Sequence, residues 1–297
     1  MIDYHCHLLP GLDDGPTGLD EALEMARALA GFGFRDIHCT PHCIAGHYEF
    51  SPVEVRAAVA RLQGELDKAA IALNLHPGME YALDDGFERF AANLLPLGGS
   101  RLVLCEAPQR VRPEMLVARL ELIVVQGFIP LLAHPERCEA TWQLLAEHRQ
   151  LEEVAEAAVH RDGAAAAAGA WLQPFWRRWL PSGSATAGTG AGGGTVAEPL
   201  SSRLPAVPAE LPECCLFQAN LGSFTGCYGE RVQRRAYELL QHNVYHCFAS
   251  DLHEARAIPA FLDAARDKLQ FNPALQRLAR FVAPPLAQAG NAQLAFW

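Results

Sequence analysis

Short apolar runs that each end in an imidazole or a carboxylate, separated by stretches of helical periodicity, constrain this chain more than any other feature. The first is Met1-Ile2-Asp3-Tyr4-His5-Cys6-His7. Alternate side chains of an extended strand share a side, so His5 and His7 can hold one ion while Cys6 faces away. Alone, such a pair is equally two polar residues at a strand end. Later apolar runs close in the same manner, at Cys39-Thr40-Pro41-His42, Pro77-Gly78-Met79-Glu80, Leu104-Cys105-Glu106, Ala133-His134 and Ser250-Asp251-Leu252-His253. Ligand-type groups at several strand ends, with helices between, predict an α/β barrel whose chemistry sits at the C-terminal mouth.

Between these runs, helix and strand signals alternate. Thr17 is placed to cap a helix carrying Leu19, Leu23, Ala26, Leu29 and Ala30 on one face, with Gly31 and Gly33 around its end. Ser51-Pro52-Val53-Glu54 reads as a capping box that opens a helix to about Leu73. Strands are expected at 1–7, 34–40, 75–79, 101–105, 128–133, 216–220 and 244–249. Seven strands with ligands along one edge favour a distorted (β/α)7 barrel over an open doubly wound sheet. Residues 1–297 read as a single catalytic domain, broken by a flexible Ala/Gly/Pro-rich insertion at about 163–212. The insertion holds a formal dinucleotide pattern at Gly188, Gly190 and Gly193, rejected because no strand precedes it and no helix follows. Its aromatic and basic run from Trp171 to Trp179 reads either as packing on the barrel wall or as a docking segment, and Pro174 spoils a long amphipathic helix there.

Composition removes several function classes. A net charge of −10 leaves no basic face for nucleic acid, and bound divalent cations would offset much of that charge. The nine cysteines are odd in number and scattered, which fits a reducing compartment better than a disulfide framework. With no leader-like start and no apolar run of membrane-spanning length, the chain is expected in the cytoplasm, without a transmembrane segment.

Collecting the strand-end groups gives His5, His7, Asp14, His42, Glu80, Glu106, His134, Asp251 and His253, too many for one ion. Mixed imidazole and carboxylate donors suit Mn, Fe or Zn, and a bridging carboxylate such as Glu80 would hold neighbouring ions close together. Such clusters activate water and clamp phosphoryl oxygens, so the implied reaction is phosphoester hydrolysis.

The chain resembles the polymerase and histidinol phosphatase (PHP) superfamily, specifically the manganese-dependent protein tyrosine phosphatases of capsule and exopolysaccharide loci, the CpsB/CapC type. The resemblance rests on Ile2 to Pro16, Thr40-Pro41-His42, Gly46-His47-Tyr48, Pro77 to Glu80, Ala133 to Arg137, Gln218 to Ser223 and Ser250 to His253, in family order. It implies that the nine groups ligate a three-metal centre, with Asp14 rather than Asp13 in the ligand role. It further implies that Arg137 holds the substrate phosphate, that Arg256 corresponds to a family arginine at shorter spacing, and that the substrate is a phosphotyrosine protein, the tail of a membrane-associated bacterial tyrosine kinase. Three departures stand out: Cys43 where the family often has a second histidine, the long segment between His134 and Gln218, and a poorly matching tail after about Asn272.

A cysteine-based phosphatase needs Cys-x5-Arg, and none of the nine cysteines has an arginine six positions on. Two alternatives remain open: a small-molecule phosphomonoesterase of the histidinol-phosphate type, and a non-catalytic, metal-bound scaffold for the kinase.

Overall fold

The structure, a computed structural model, describes residues 1–146 and 214–285. The insertion expected at about 163–212 lies outside the described residues. Among those described, parallel strands form two sheets. β1 (Ile2–Cys6), β2 (Asp36–Cys39) and β4 (Asn74–Pro77) make the first, in that order. β3 (His42–Cys43), β5 (Glu80–Ala82), β6 (Leu102–Glu106), β7 (Ile129–Ala133), β8 (Leu216–Asn220) and β9 (Cys247–Ala249) make the second, also in that order.

Among the described residues nine strands stand where seven were expected, because the short β3 and β5 lie just beyond the expected strands at 34–40 and 75–79. Pro41, which has no N–H to give a ladder, separates β2 from β3, and Gly78-Met79 separates β4 from β5. Backbone bonds still cross the breaks: the Gly78 N–H donates to Cys39 C=O at 3.0 Å and the Glu80 N–H to Pro41 C=O at 3.1 Å. At the other margin the Asp251 N–H donates to His5 C=O at 2.8 Å, and the His7 N–H to Leu252 C=O at 3.1 Å. Both sheets also contribute to one apolar cluster of Tyr4, Leu97, Leu102, Leu104, Leu131, Ala133 and Cys247, which uses alternate residues of β6 and β7. These strands are buried almost throughout, as parallel strands covered on both faces are.

Helix boundaries differ from expectation in detail. α1 (Leu19–Phe32) takes Gly18, not Thr17, as its N-cap, and buries Ala22, Met25, Ala26, Leu29 and Phe32. Leu19 is exposed because a stripe through Ala22 and Met25 keeps the larger Met25 and Phe32 in the core. Gly33, at φ 118°, ends the helix with its N–H on the carbonyls of Ala30 and Leu29, a conformation a side chain would disfavour. α2 (Pro52–Lys68) opens with the predicted reciprocal bonds between Ser51 and Glu54. It stops short of Leu73, where Ala70 turns to φ 51°.

Candidate metal centre

The nine expected side chains converge on one site beyond the C-terminal ends of the strands. Their ligand atoms form four overlapping groups, within each of which all atoms lie within 4.8 Å of one another: His7, Asp14, His42 and His253; His5, His7 and Asp251; His5, Glu80 and His134; His42, Glu80 and Glu106. His5, His7, Glu80, His134 and Asp251 are buried, whereas the Asp14 side chain is 54% exposed and marks the open side. His134 at φ 35° and Asp251 at φ 51° hold left-handed backbone, a strain the surrounding structure sustains in order to aim these two groups.

Two orphaned contacts test whether the set fits cations. Glu80 Oε2 lies 3.1 Å from His5 Nε2, 3.3 Å from His7 Nε2 and 3.0 Å from His42 Nδ1, yet it is buried with no hydrogen bond of acceptable geometry. His5 Nδ1 faces Gln218 Oε1 at 3.1 Å and His7 Nδ1 faces Asp13 Oδ2 at 2.6 Å. Both Nδ1 atoms therefore donate, so in the neutral rings each Nε2 carries a lone pair and the two approach to 3.0 Å. Buried acceptors aimed at one another are costly unless a cation sits among them, so the residues present fit divalent metal.

The electrostatics agree. Burial lowers the pKa of His5, but the carboxylates of Glu80 and Asp251 outweigh it and bring the imidazole up to about 9. Burial, reinforced by the charge of Glu80, pushes Glu106 up to about 7. Burial and the Arg137 charge hold His134 down at about 4. The same negative field that draws protons to this cluster draws cations. Burial raises the thiols of Cys6, Cys39 and Cys105, which leaves them inert as nucleophiles.

Arg137 and Arg256 part company. Arg137 donates from Nη1 to Asp251 Oδ2 at 2.9 Å, the oxygen opposite the one that faces His5. Arg256 instead pairs with Glu254 at 2.6 Å, and its side chain is 84% exposed. Among the described residues no hydrogen bond or ion pair joins it to the nine.

Three residues given no role from the sequence support the cluster. Asp13 fixes His7 and accepts the His42 N–H at 2.9 Å; Gln218 fixes His5; Asn220 donates to Asp251 Oδ2. Gln218 and Asn220 stand two apart at the end of β8, the spacing that singled out His5 and His7, and this signal could have found them.

Fold and site together define a parallel α/β protein with a candidate metal centre at the strand ends. Residues 1–168 match the capsular polysaccharide synthesis family CpsB/CapC, and the chain belongs to that family. It is 38% identical over 139 residues to the tyrosine-protein phosphatase YwqE of Bacillus subtilis, covering 46% of this chain and 55% of the relative. With the tyrosine-protein phosphatase CpsB of Streptococcus agalactiae it shares 28% identity over 142 residues, or 47% of this chain and 58% of the relative. The alignments thus span somewhat more than half the length of these curated relatives. Among solved structures, those of YwqE from Bacillus subtilis and CpsB from Streptococcus pneumoniae, described as unique metal-dependent tyrosine phosphatases, give a match with TM-score 0.65 and 25% identity. That match covers 94% of this chain and 91% of the other.

Proposed function

We propose that this protein is a metal-dependent phosphatase acting on protein phosphotyrosine, with the tail of a membrane-associated tyrosine kinase of capsule or exopolysaccharide synthesis as its natural substrate. The observation that carries the reading is the convergence of nine donors around Glu80 Oε2, with one arginine tied to the rim of the cluster. In this reading the two sheets form one distorted (β/α)7 barrel, supported by the backbone bonds at both margins and the shared apolar cluster. Residues 1–297 are then one PHP domain carrying the 163–212 segment as an insertion. Among the described residues no helix is long and apolar enough to cross a membrane. The nine unbridged cysteines support placing the protein in a reducing compartment, the cytoplasm.

His5, His7, Asp14, His42, Glu80, Glu106, His134, Asp251 and His253 would hold the cations, three of Mn in this reading, with Fe or Zn compatible with the same donors. Bound there, they supply Lewis-acid charge for phosphoryl oxygens and an acidified water. The chain's own groups do the rest. Gln218 and Asp13 keep the His5 and His7 rings in the tautomer that offers Nε2. Arg137, anchored on Asp251, offers further N–H donors to a phosphate, and its always-charged fork stabilises oxygens gaining negative charge.

The test is hydrolysis of a phosphotyrosine peptide beside histidinol phosphate. Activity on the peptide should vanish on chelation, return best with Mn and survive iodoacetamide. Thiol alkylation that abolishes turnover while a chelator does not would overturn the reading, and preference for histidinol phosphate would move it to a small-molecule enzyme.

A further inference from the structure

Arg137 is the last residue of a short 3-10 turn, Pro135–Arg137, and its long side chain has several rotatable bonds. One hydrogen bond to Asp251 Oδ2 fixes a single corner of the guanidinium and leaves its plane free to swing. Tyr228 meets that plane: the guanidinium carbon lies 4.3 Å from the centre of the Tyr228 ring. The ring is itself held on two sides. Its hydroxyl accepts from Asn220 Nδ2 at 3.2 Å, and the same Nδ2 also donates to Asp251 Oδ2. Phe261 packs edge-on against the ring at 5.7 Å, and Phe261 comes that near only because Gly222 has no side chain, since a Cβ there would lie 2.7 Å from the Phe261 ring. The arginine and the tyrosine together line a cavity of about 480 Å³ shared with Gln109, Glu139 and Arg231.

We infer that Tyr228 is a positioning residue for phosphate recognition, its ring holding the Arg137 guanidinium flat so that the donors not used by Asp251 stay presented to the cavity. The inference rests on the phosphatase reading for Arg137, but its physical content is narrower. A cation over an aromatic face is held by the ring quadrupole, and the ring restricts tilt in a way that a point-to-point ion pair with Asp251 does not. Asn220 couples the two restraints, because one amide nitrogen sets both the carboxylate oxygen and the tyrosine hydroxyl.

The test compares Tyr228→Phe, which keeps the ring, with Tyr228→Leu, which removes it, on the Mn-loaded protein. Three quantities are measured: metal content, kcat/KM for an aryl phosphate and Kd for inorganic phosphate. Tyr228→Leu should lose roughly tenfold in kcat/KM and weaken phosphate binding by a similar factor, with metal content unchanged. Tyr228→Phe should stay within about twofold of wild type on both. In an Arg137→Ala background, Tyr228→Leu should cost nothing more, because the ring acts through the arginine. In the metal-free protein, the Arg137 Nε–H resonance should lose its ring-current shift in Tyr228→Leu and keep it in Tyr228→Phe.

Equal losses in the two variants would assign the effect to the hydroxyl and overturn the inference. So would a full additive loss in the Arg137→Ala background, or a fall in metal content that accounts for the lost rate. If Tyr228→Leu does not fold, Tyr228→Met, which restores bulk without a π face, takes its place in every comparison. A wild type that binds phosphate without hydrolysing either substrate would defeat the phosphatase reading alone, and the phosphate Kd series would still decide Tyr228.

Discussion

Histidines and carboxylates gather at both ends of the strands, and only one gathering has the makings of a metal centre. At the mouth, Glu80 Oε2 faces three imidazole nitrogens within 3.3 Å. At the other end, Asp36, His38 and His76 lie on β2 and β4, in the register Asp36↔Asn74 and His38↔His76. There His76 pairs with Asp36 at 2.9 Å, both about one-third exposed, while His38 stacks flat on Tyr4 with ring centroids 5.2 Å apart. Burial, reinforced by the charge of His76, holds His38 down at about 3, a neutral ring used as core. The same residue types make a site only where their lone pairs are buried, aimed together and held by neighbours. Composition alone does not separate the two ends.

The largest effect expected from breaking the mouth is that of Asp251→Ala. It removes a proposed ligand oxygen and the Arg137 anchor together, so metal content and rate should both collapse, the rate by on the order of 10³-fold or more. His76→Ala at the other end should keep both and cost no more than about 1 kcal/mol of stability, as partly exposed pairs do. Metal analysis beside steady-state kinetics reads both variants, and equal losses would erase the distinction between the two ends.

Next comes Arg137→Lys, which keeps the charge but not the planar fork. Metal content should hold while kcat/KM falls by about 2–4 kcal/mol, the range for oxyanion donors. Asp13→Asn tests the support behind the cluster: the cations should bind roughly 10–100-fold more weakly, seen by competition with a chelator, because the His7 tautomer is no longer held.

Acid should sharpen the contrast from the far end. His38 and His246 are held at about 3 and about 4, His38 by burial then His76, His246 by burial then Arg277, against an ordinary value of 6.5. The unfolded chain therefore binds more protons than the folded one below pH 6.5. Stability should fall as pH drops from 6.5 towards 3–4 and level off beneath, by at most about 1.4 kcal/mol per pH unit for each ring. Denaturant titrations of metal-free wild type and His246→Asn across this window should differ in slope, the variant being flatter. The smallest effect is reserved for deletion of residues 165–208, which should leave metal content and aryl phosphate hydrolysis unchanged, since β7 and β8 on either side pair directly, Leu131 with Leu216.

Much of the site was legible because strand geometry is local. A residue at the end of an apolar run projects from the sheet edge whatever the rest of the chain does, and all nine expected groups meet in the structure. Arg256 was read from motif spacing, and spacing does not say which way a side chain turns beyond a strand; it lies with Glu254 in solvent. Asp13 and Asp14 are neighbours of identical chemistry, and the backbone course alone sends one to the His7 ring and the other to the open rim beside His42 and His253. The short strands β3 and β5 were likewise hidden, since each lies past a break, at Pro41 and at Gly78-Met79, where the expected strands had ended.

The sequence by itself determined the alternation of strand and helix, the capping box of α2 and the inventory of nine donors. Each depends on periodicity or on contacts within a few residues, which the chain order alone specifies. Only the tertiary structure decided that Glu80 is the shared oxygen, that Gln218 and Asp13 set the histidine tautomers, and that Arg137 lies between Asp251 and the Tyr228 ring. Those contacts join residues from about 50 to more than 200 positions apart in most cases, and their aim depends on how each strand end meets the next, which no local pattern encodes.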